Sequence, residues 1–214
     1  MRCVTPGVAF SGSPSETSSE PDPIQPASTG VGPLIQRDYW AVIAECPCKP
    51  SQLIELVRTR FMELPPPAIV VFERCDGDGE LDVGDELDIR IRLAGDARVR
   101  VVHRDECSIT LATLAGHPEA GRITFGAYRN DRGQVLFHIR SRARSSTRTN
   151  YLAFLFGGDP MQTATWTDFV TNVALTCGAG VEGVVHADTK IIEAAQLEPA
   201  DDRMDAPTFI ARAD

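Results

Sequence analysis

Three groups of residues in this sequence have the types and spacing to do chemistry. The first is His117 and Glu119, in the stretch TLAGHPEAGRITFGAYR, residues 113–129. A histidine and a carboxylate two positions apart in a loop can converge on a pocket mouth and work as an acid/base pair. The same residues also suit a hairpin connection. Gly116 accepts a positive φ, Pro118 restricts its own backbone, and either polar side chain can bond turn amides. No nucleophile or oxyanion device lies near them in sequence, so the turn reading carries more weight and no catalytic residue is assigned.

The second group lies in the run FHIRSRAR. His138, Arg140, Arg142 and Arg144 alternate with Phe137, Ile139, Ser141 and Ala143. From Arg98 to Arg148 there are ten arginines against four acidic residues, inside a chain of net charge −9. Guanidinium groups suit carboxylate or phosphate partners. The apolar half of the alternation is the better match to a core, so the arginines are expected on the solvent side of a strand.

The third group is the cysteines: Cys3, Cys46, Cys48, Cys75, Cys107 and Cys177. Cys46-Pro-Cys48 is the one close pair, and zinc sites usually repeat such a pair, so no metal site is expected. The scatter is not a disulfide framework, and no cofactor is implied. The acidic stretch DGDGELDVGDEL, residues 76–87, has Leu81 and Leu87 where a calcium-binding EF-hand loop needs Gly and Glu, so it reads as a plain acidic loop.

The elements that must position these residues follow from periodicity. RDYWAVIAE reads as a strand beginning near Arg37. Ser51 is placed to cap a helix with Leu53, Ile54, Val57 and Phe61 on one side, ended by Pro65-Pro66-Pro67. AIVVFERC reads as a buried strand. In ELDIRIRL, Leu87, Ile89, Ile91 and Leu93 face one way, and Asp88, Arg90 and Arg92 the other. RVRVVH and CSITLATL are further strands, and His103 shares parity with Val99 and Val101. GRITFGAY and QVLFHIRSRA form a hairpin around Asn130–Gly133. The best helix comes last: Asp159 and Pro160 open it, Trp166, Phe169, Val170, Val173, Ala174 and Cys177 form its apolar stripe, and Gly178 closes it. YLAFLFGG before it reads as a short helix or packed loop.

The chain has 214 residues, 43% of them hydrophobic, which fits one globular domain with tails. Residues 11–33 are rich in Ser, Pro and Gly and lack apolar residues to offset ordering entropy. The expected division is a disordered tail at 1–36, a domain at 37–178 and a loosely ordered extension at 179–214. The acidic balance argues against a nucleic-acid partner. No apolar run spans a membrane, and the N-terminus makes a poor secretory signal, so a cytoplasmic location is expected.

A sheet with one apolar face must cover it, and the last helix carries the matching stripe. Strand, helix, a meander of strands and a long amphipathic helix is an α+β order. It resembles the START-like, birch-allergen-like helix-grip fold, in which a curved antiparallel sheet, here of about seven strands, holds a long C-terminal helix. The stretch LATLAGHPEAGRITFGAYRNDRGQVLFHIRSRARSS, residues 111–146, together with VGDELDIRI, also resembles the family known as domain of unknown function 1990. The Gly-rich, Tyr-containing opening usual in that family is replaced here by residues 1–36.

What the resemblance implies is a fold and a cavity between sheet and last helix. The expected wall on the sheet side is Leu87, Ile89, Ile91, Phe125, Phe137 and Ile139, with His103 as a lone polar group. Trp166, Phe169 and Val173 stand opposite, and His117 and Glu119 are placed at the mouth. The expected partner is a hydrophobic small molecule. The alternatives are a cyclase- or hydrolase-type enzyme using the same cavity and a protein-interaction module with a basic sheet face; an enzyme is the less favoured reading. The sequence leaves the oligomeric state open.

Overall fold

The computed structural model describes residues 22–92, 95–147 and 159–192. The readings for residues 1–21, for YLAFLFGG and for the chain beyond Ile192 fall outside the described residues.

Eight antiparallel strands form one sheet. In chain order they are β1 (Val31–Ile43), β2 (Val70–Arg74), β3 (Glu86–Ile91), β4 (Gly95–Arg104), β5 (Ser108–Thr113), β6 (Glu119–Arg129), β7 (Val135–Ser145) and β8 (Val181–Ile192). Helix α1 (Pro50–Thr59) follows β1, and helix α2 (Asp159–Cys177) precedes β8. The spatial order is β2-β3-β4-β5-β6-β7-β1-β8, a meander closed by the first and last strands. The sheet is curved and the long helix lies against it, which is the helix-grip architecture.

Alternation dictates which face is which. Tyr39, Ala41 and Ile43 on β1 and Phe137 and Ile139 on β7 point to one side, where they meet Phe169, Val170, Val173 and Ala174 of α2. All four α2 residues are fully buried, as the apolar stripe requires. Helix α1 adds Leu53, Ile54 and Val57 from above β5 and β6. Phe61, just past α1, sits at the centre, with Phe125 at 5.1 Å and Phe169 at 5.4 Å between ring centroids. The Phe61–Phe125 contact is edge-to-face, a geometry that adds to simple area burial.

Several sequence expectations are corrected. Helix α1 is not capped by Ser51: Lys49 holds the N-cap position, its N–H donating to Gln52 Oε1 at 2.9 Å, and Pro50 takes the first helical position. Among the described residues the sheet has eight strands where about seven were expected, and its ends lie outside the expected boundaries at 37 and 178. β1 starts at Val31, and upstream Ile24 bridges to Leu114. β8 lies in the stretch read as a loose extension, paired with β1 from Leu34 opposite Ile192 to Ile43 opposite Val181. Most β8 residues are exposed, and beside its backbone ladder this edge strand packs only Val181 and Val185 against the core, a weak signal in sequence.

Candidate functional site

A cavity of about 110 Å³ lies between the sheet and the start of α2. Its walls are Phe61, Val70, Phe72, Ile89, Ile91, Val99, Leu111, Ile123 and Phe125, with Ala143, Met161 and Trp166. Thr113, His117, Glu119, Arg122, Ser141, Gln162 and Thr165 supply the polar part of the lining. The apolar residues arrive at alternate positions of β2 to β6, so the same period-2 pattern that makes the core makes the wall. The α2 side is set by Trp166, whose ring stands edge-on to Phe125 at 5.7 Å.

Six of the residues expected from sequence line this cavity: Ile89, Ile91, Phe125, Trp166, His117 and Glu119. Leu87, Phe137, Ile139, Phe169 and Val173 do not; they are packed into the solid core alongside it. His103 is elsewhere. The ladder between β4 and β5 shifts between Val101 and His103, so that Val101 opposes Leu111 while His103 opposes Thr110. The extra residue reverses parity, and His103 is left with Asp105, Nε2 to Oδ2 at 3.4 Å. Alternation counted along the sequence could not see that bulge.

The Gly-His-Pro-Glu stretch is the β5–β6 connection. Gly116 has φ +92°, a conformation that suits glycine. The His117 N–H donates to Leu114 O at 3.1 Å. The Glu119 N–H donates to His117 Nδ1 at 3.0 Å, so in the neutral ring the proton resides on Nε2. Nδ1 also lies 3.0 Å from Glu119 O, a carbonyl that accepts from Nδ1 when the ring is protonated. Among the described residues Nε2 makes no hydrogen bond, and His117 is 9% exposed. Burial pushes the His117 pKa below its usual value, against the opposing pull of the Glu119 charge and backbone.

The turn is held from a direction the sequence did not suggest. Gln25 Nε2 donates to His117 O at 3.0 Å and to Glu119 O at 2.9 Å. The Gln25 N–H donates to Thr113 O, and the Ala115 N–H to Pro23 O. Thus residues 22–25, read as tail, brace the cavity's polar end. Arg37, 1% exposed, reaches Glu119 Oε1 at 3.4 Å. Its place next to Asp38 in a strand read as apolar gave no signal of this.

The opposite face of the sheet is also corrected. Arg140 was expected in solvent but is 8% exposed, and Arg142 and Arg144 are half-buried. Asp38, also buried, organises this face. His138 Nε2 lies 2.8 Å from Asp38 Oδ1, Arg140 Nε donates to the same oxygen, and Gln36 Nε2 donates to Oδ2 at 2.7 Å. Arg142 Nε donates to Gln36 Oε1 at 2.8 Å, and Tyr128 OH lies 3.2 Å from His138 Nδ1. Burial would raise the Asp38 pKa, but the bonds from His138 and Arg140, the Arg140 charge and Gln36 hold it down at about 2. The β1–β7 register makes the network, setting Gln36, Asp38 and Trp40 opposite Arg142, Arg140 and His138.

Cys46, Cys48 and Cys177 converge, although sequence spacing assigned them no site. Their Sγ atoms lie within 4.8 Å of one another.

Taken together, the gripped helix and the cavity beneath it define a protein of the helix-grip class. Residues 71–167 match the family described as Domain of unknown function (DUF1990). No curated protein matches the sequence. Among solved structures, the chain is similar to ginseng major latex-like protein 151 from Panax ginseng, with 18% identity over 68% of this chain and 99% of that one, at a TM-score of 0.44. A Thermobifida fusca protein is 13% identical over 67% of this chain and 95% of its own, with a TM-score of 0.47. Protein Ms6760 from Mycobacterium smegmatis is 11% identical over 74% and 96%, with a TM-score of 0.45. Among the described residues, no helix is long and apolar enough to cross a membrane.

Proposed function

We propose that the protein binds a hydrophobic small molecule carrying one hydrogen-bond acceptor, in the cavity between the sheet and α2. The observation that carries this reading is an apolar cavity with His117 in its lining, whose Nε2 makes no hydrogen bond among the described residues. Ligand sites are typically concave and apolar, with a few placed polar groups that fix orientation. An acceptor on the ligand would give Nε2–H a partner and fix the ligand's orientation. About 110 Å³ suits a single ring or the end of an acyl chain, with the remainder of a longer ligand outside.

The enzyme alternative has less support. His117 would have to act as a base, yet its Nδ1 is occupied by the Glu119 N–H and Nε2 carries the proton. The basic-face alternative also has less support, because Arg140 and Arg142 are engaged by Asp38 and Gln36.

An apolar fluorescent probe should bind the folded protein and be displaced by a fatty-acid-like competitor. Filling the cavity with Ile123→Trp should weaken the probe by about tenfold or more while costing about 1–3 kcal/mol in stability. A well-folded wild type that binds no probe, and that carries no lipid-like mass when purified from cells, would end this reading.

A further inference from the structure

The loop after β1 and the last residue of α2 bring together three thiols that are far apart in the chain. Cys46 Sγ and Cys177 Sγ are 3.4 Å apart, and all three sulfurs lie within 4.8 Å of one another. Three sulfurs bound to one ion at about 2.3 Å stand roughly 3.8–4.0 Å apart, so closing on an ion takes only sub-ångström to ångström shifts of these side chains.

The backbone around them is fixed. The Ala44 N–H donates to Gly180 O and the Ala179 N–H to Ala44 O, both at 2.8 Å. Gly178 lies so close to this loop that a Cβ there would stand 2.4 Å from Ala44 O. Pro47 stiffens the span between Cys46 and Cys48. Cys177 is 5% exposed and forms the floor, whereas Cys46 and Cys48 are half-buried and leave a path from solvent. Cys75 and Cys107, by contrast, are exposed and belong to no such group.

We propose that Cys46, Cys48 and Cys177 form a binding site for a thiophilic closed-shell metal ion, clamping the end of α2 to the loop after β1. Three thiolates and no oxygen or imidazole ligand select soft ions, Cu(I) or Zn(II), over Mg(II) or Ca(II). No fourth Cys, His, Asp or Glu joins the group among the described residues. Cu(I) accepts three sulfurs as they stand, whereas Zn(II) would complete a tetrahedron with water. The site is independent of the cavity, and either proposal stands if the other fails.

The test uses the full chain, reduced and washed with chelator, then titrated separately with Zn(II) and with Cu(I) against a chromophoric chelator. One equivalent of at least one ion should be retained per chain. At a hundredfold excess over Kd, melting should rise by about 5–10 °C. Cu(I) would announce itself by a near-ultraviolet sulfur-to-metal absorption, and the zinc arm by the ligand-field spectrum of Co(II) put in its place. Cys46→Ser and Cys48→Ser avoid the buried floor, and each should weaken binding by at least about a hundredfold, while Cys75→Ser and Cys107→Ser leave it unchanged. Retention of neither ion, retention unaffected by Cys46→Ser and Cys48→Ser, or a Cys46–Cys177 disulfide in protein kept under reductant would each overturn the proposal.

Discussion

His117 and His138 are both more than nine-tenths buried, and they belong to opposite sides of the same sheet. His138 has both ring nitrogens engaged, Nε2 with Asp38 and Nδ1 with Tyr128. His117 has one nitrogen tied to its own turn and the other, in an apolar cavity lining, without a partner among the described residues. Burial alone therefore does not mark a functional histidine. A satisfied polar network holds strands in register, while an unsatisfied donor beside empty space is chemistry still available to a ligand.

The contrast breaks most sharply at Asp38. Asp38→Ala removes the carboxylate on which His138, Arg140 and Gln36 converge, and should destabilise the protein by about 3–5 kcal/mol, read by denaturant unfolding. It should leave the cavity's intrinsic affinity for probe unchanged in the folded fraction. A loss below 1 kcal/mol would mean that the network is surface decoration and that the two histidines differ less than described.

Acid should separate the two sides in pH. Asp38 titrates at about 2 in the folded protein against an ordinary 3.8. Its contribution, about 2 kcal/mol, is therefore complete above pH 3.8 and is lost as pH falls toward 2. His117 is held below its ordinary 6.5, so the unfolded chain takes up its proton first and stability declines as pH drops below 6.5. Melting followed from pH 7 to 2 should fall in two stages. His117→Phe should flatten the upper stage, and Asp38→Asn the lower one. An upper stage that survives His117→Phe would assign it to another group.

The smallest expected effect sharpens the cavity side. His117→Phe keeps an apolar ring but removes the Nε2–H. Affinity for a probe or competitor bearing a carbonyl or hydroxyl should drop about tenfold, while a pure hydrocarbon should bind as before. Equal losses for both would show that the ring acts only by its shape.

Much of the fold was legible because local rules agreed with one another. The alternation in ELDIRI, the Asn130–Gly133 turn and the Trp166-to-Cys177 stripe each pointed to one element, and each element lies where those rules put it. The cavity was legible only in part. Ile89, Ile91, Phe125 and Trp166 have the right parity and position, but whether an inward side chain meets empty space or another side chain depends on packing between distant elements. Leu87 and Phe137 have the same parity and are solidly packed. His103 was lost to a bulge. The cysteine cluster and the Arg37–Glu119 pair were invisible because their partners lie 131 and 82 positions apart. The arginines of β7 were placed on the correct face, yet the carboxylate that keeps them from solvent sits in a strand that reads as apolar.

The closing of the meander by β8 has a mechanical consequence. Leu34 stands opposite Ile192 at one end of the β1–β8 ladder, and Ile43 opposite Val181 at the other. The chain therefore enters β1 and leaves β8 at the same end of the sheet. A pull applied on either side of residues 31–192 would load the rungs one after another, beginning at Leu34–Ile192, as a zipper opens. It would not shear them together. Resistance at this edge is then set by single hydrogen bonds and grows only when the peel reaches Val181, behind which α2 is anchored by Phe169 and Val173 in the core.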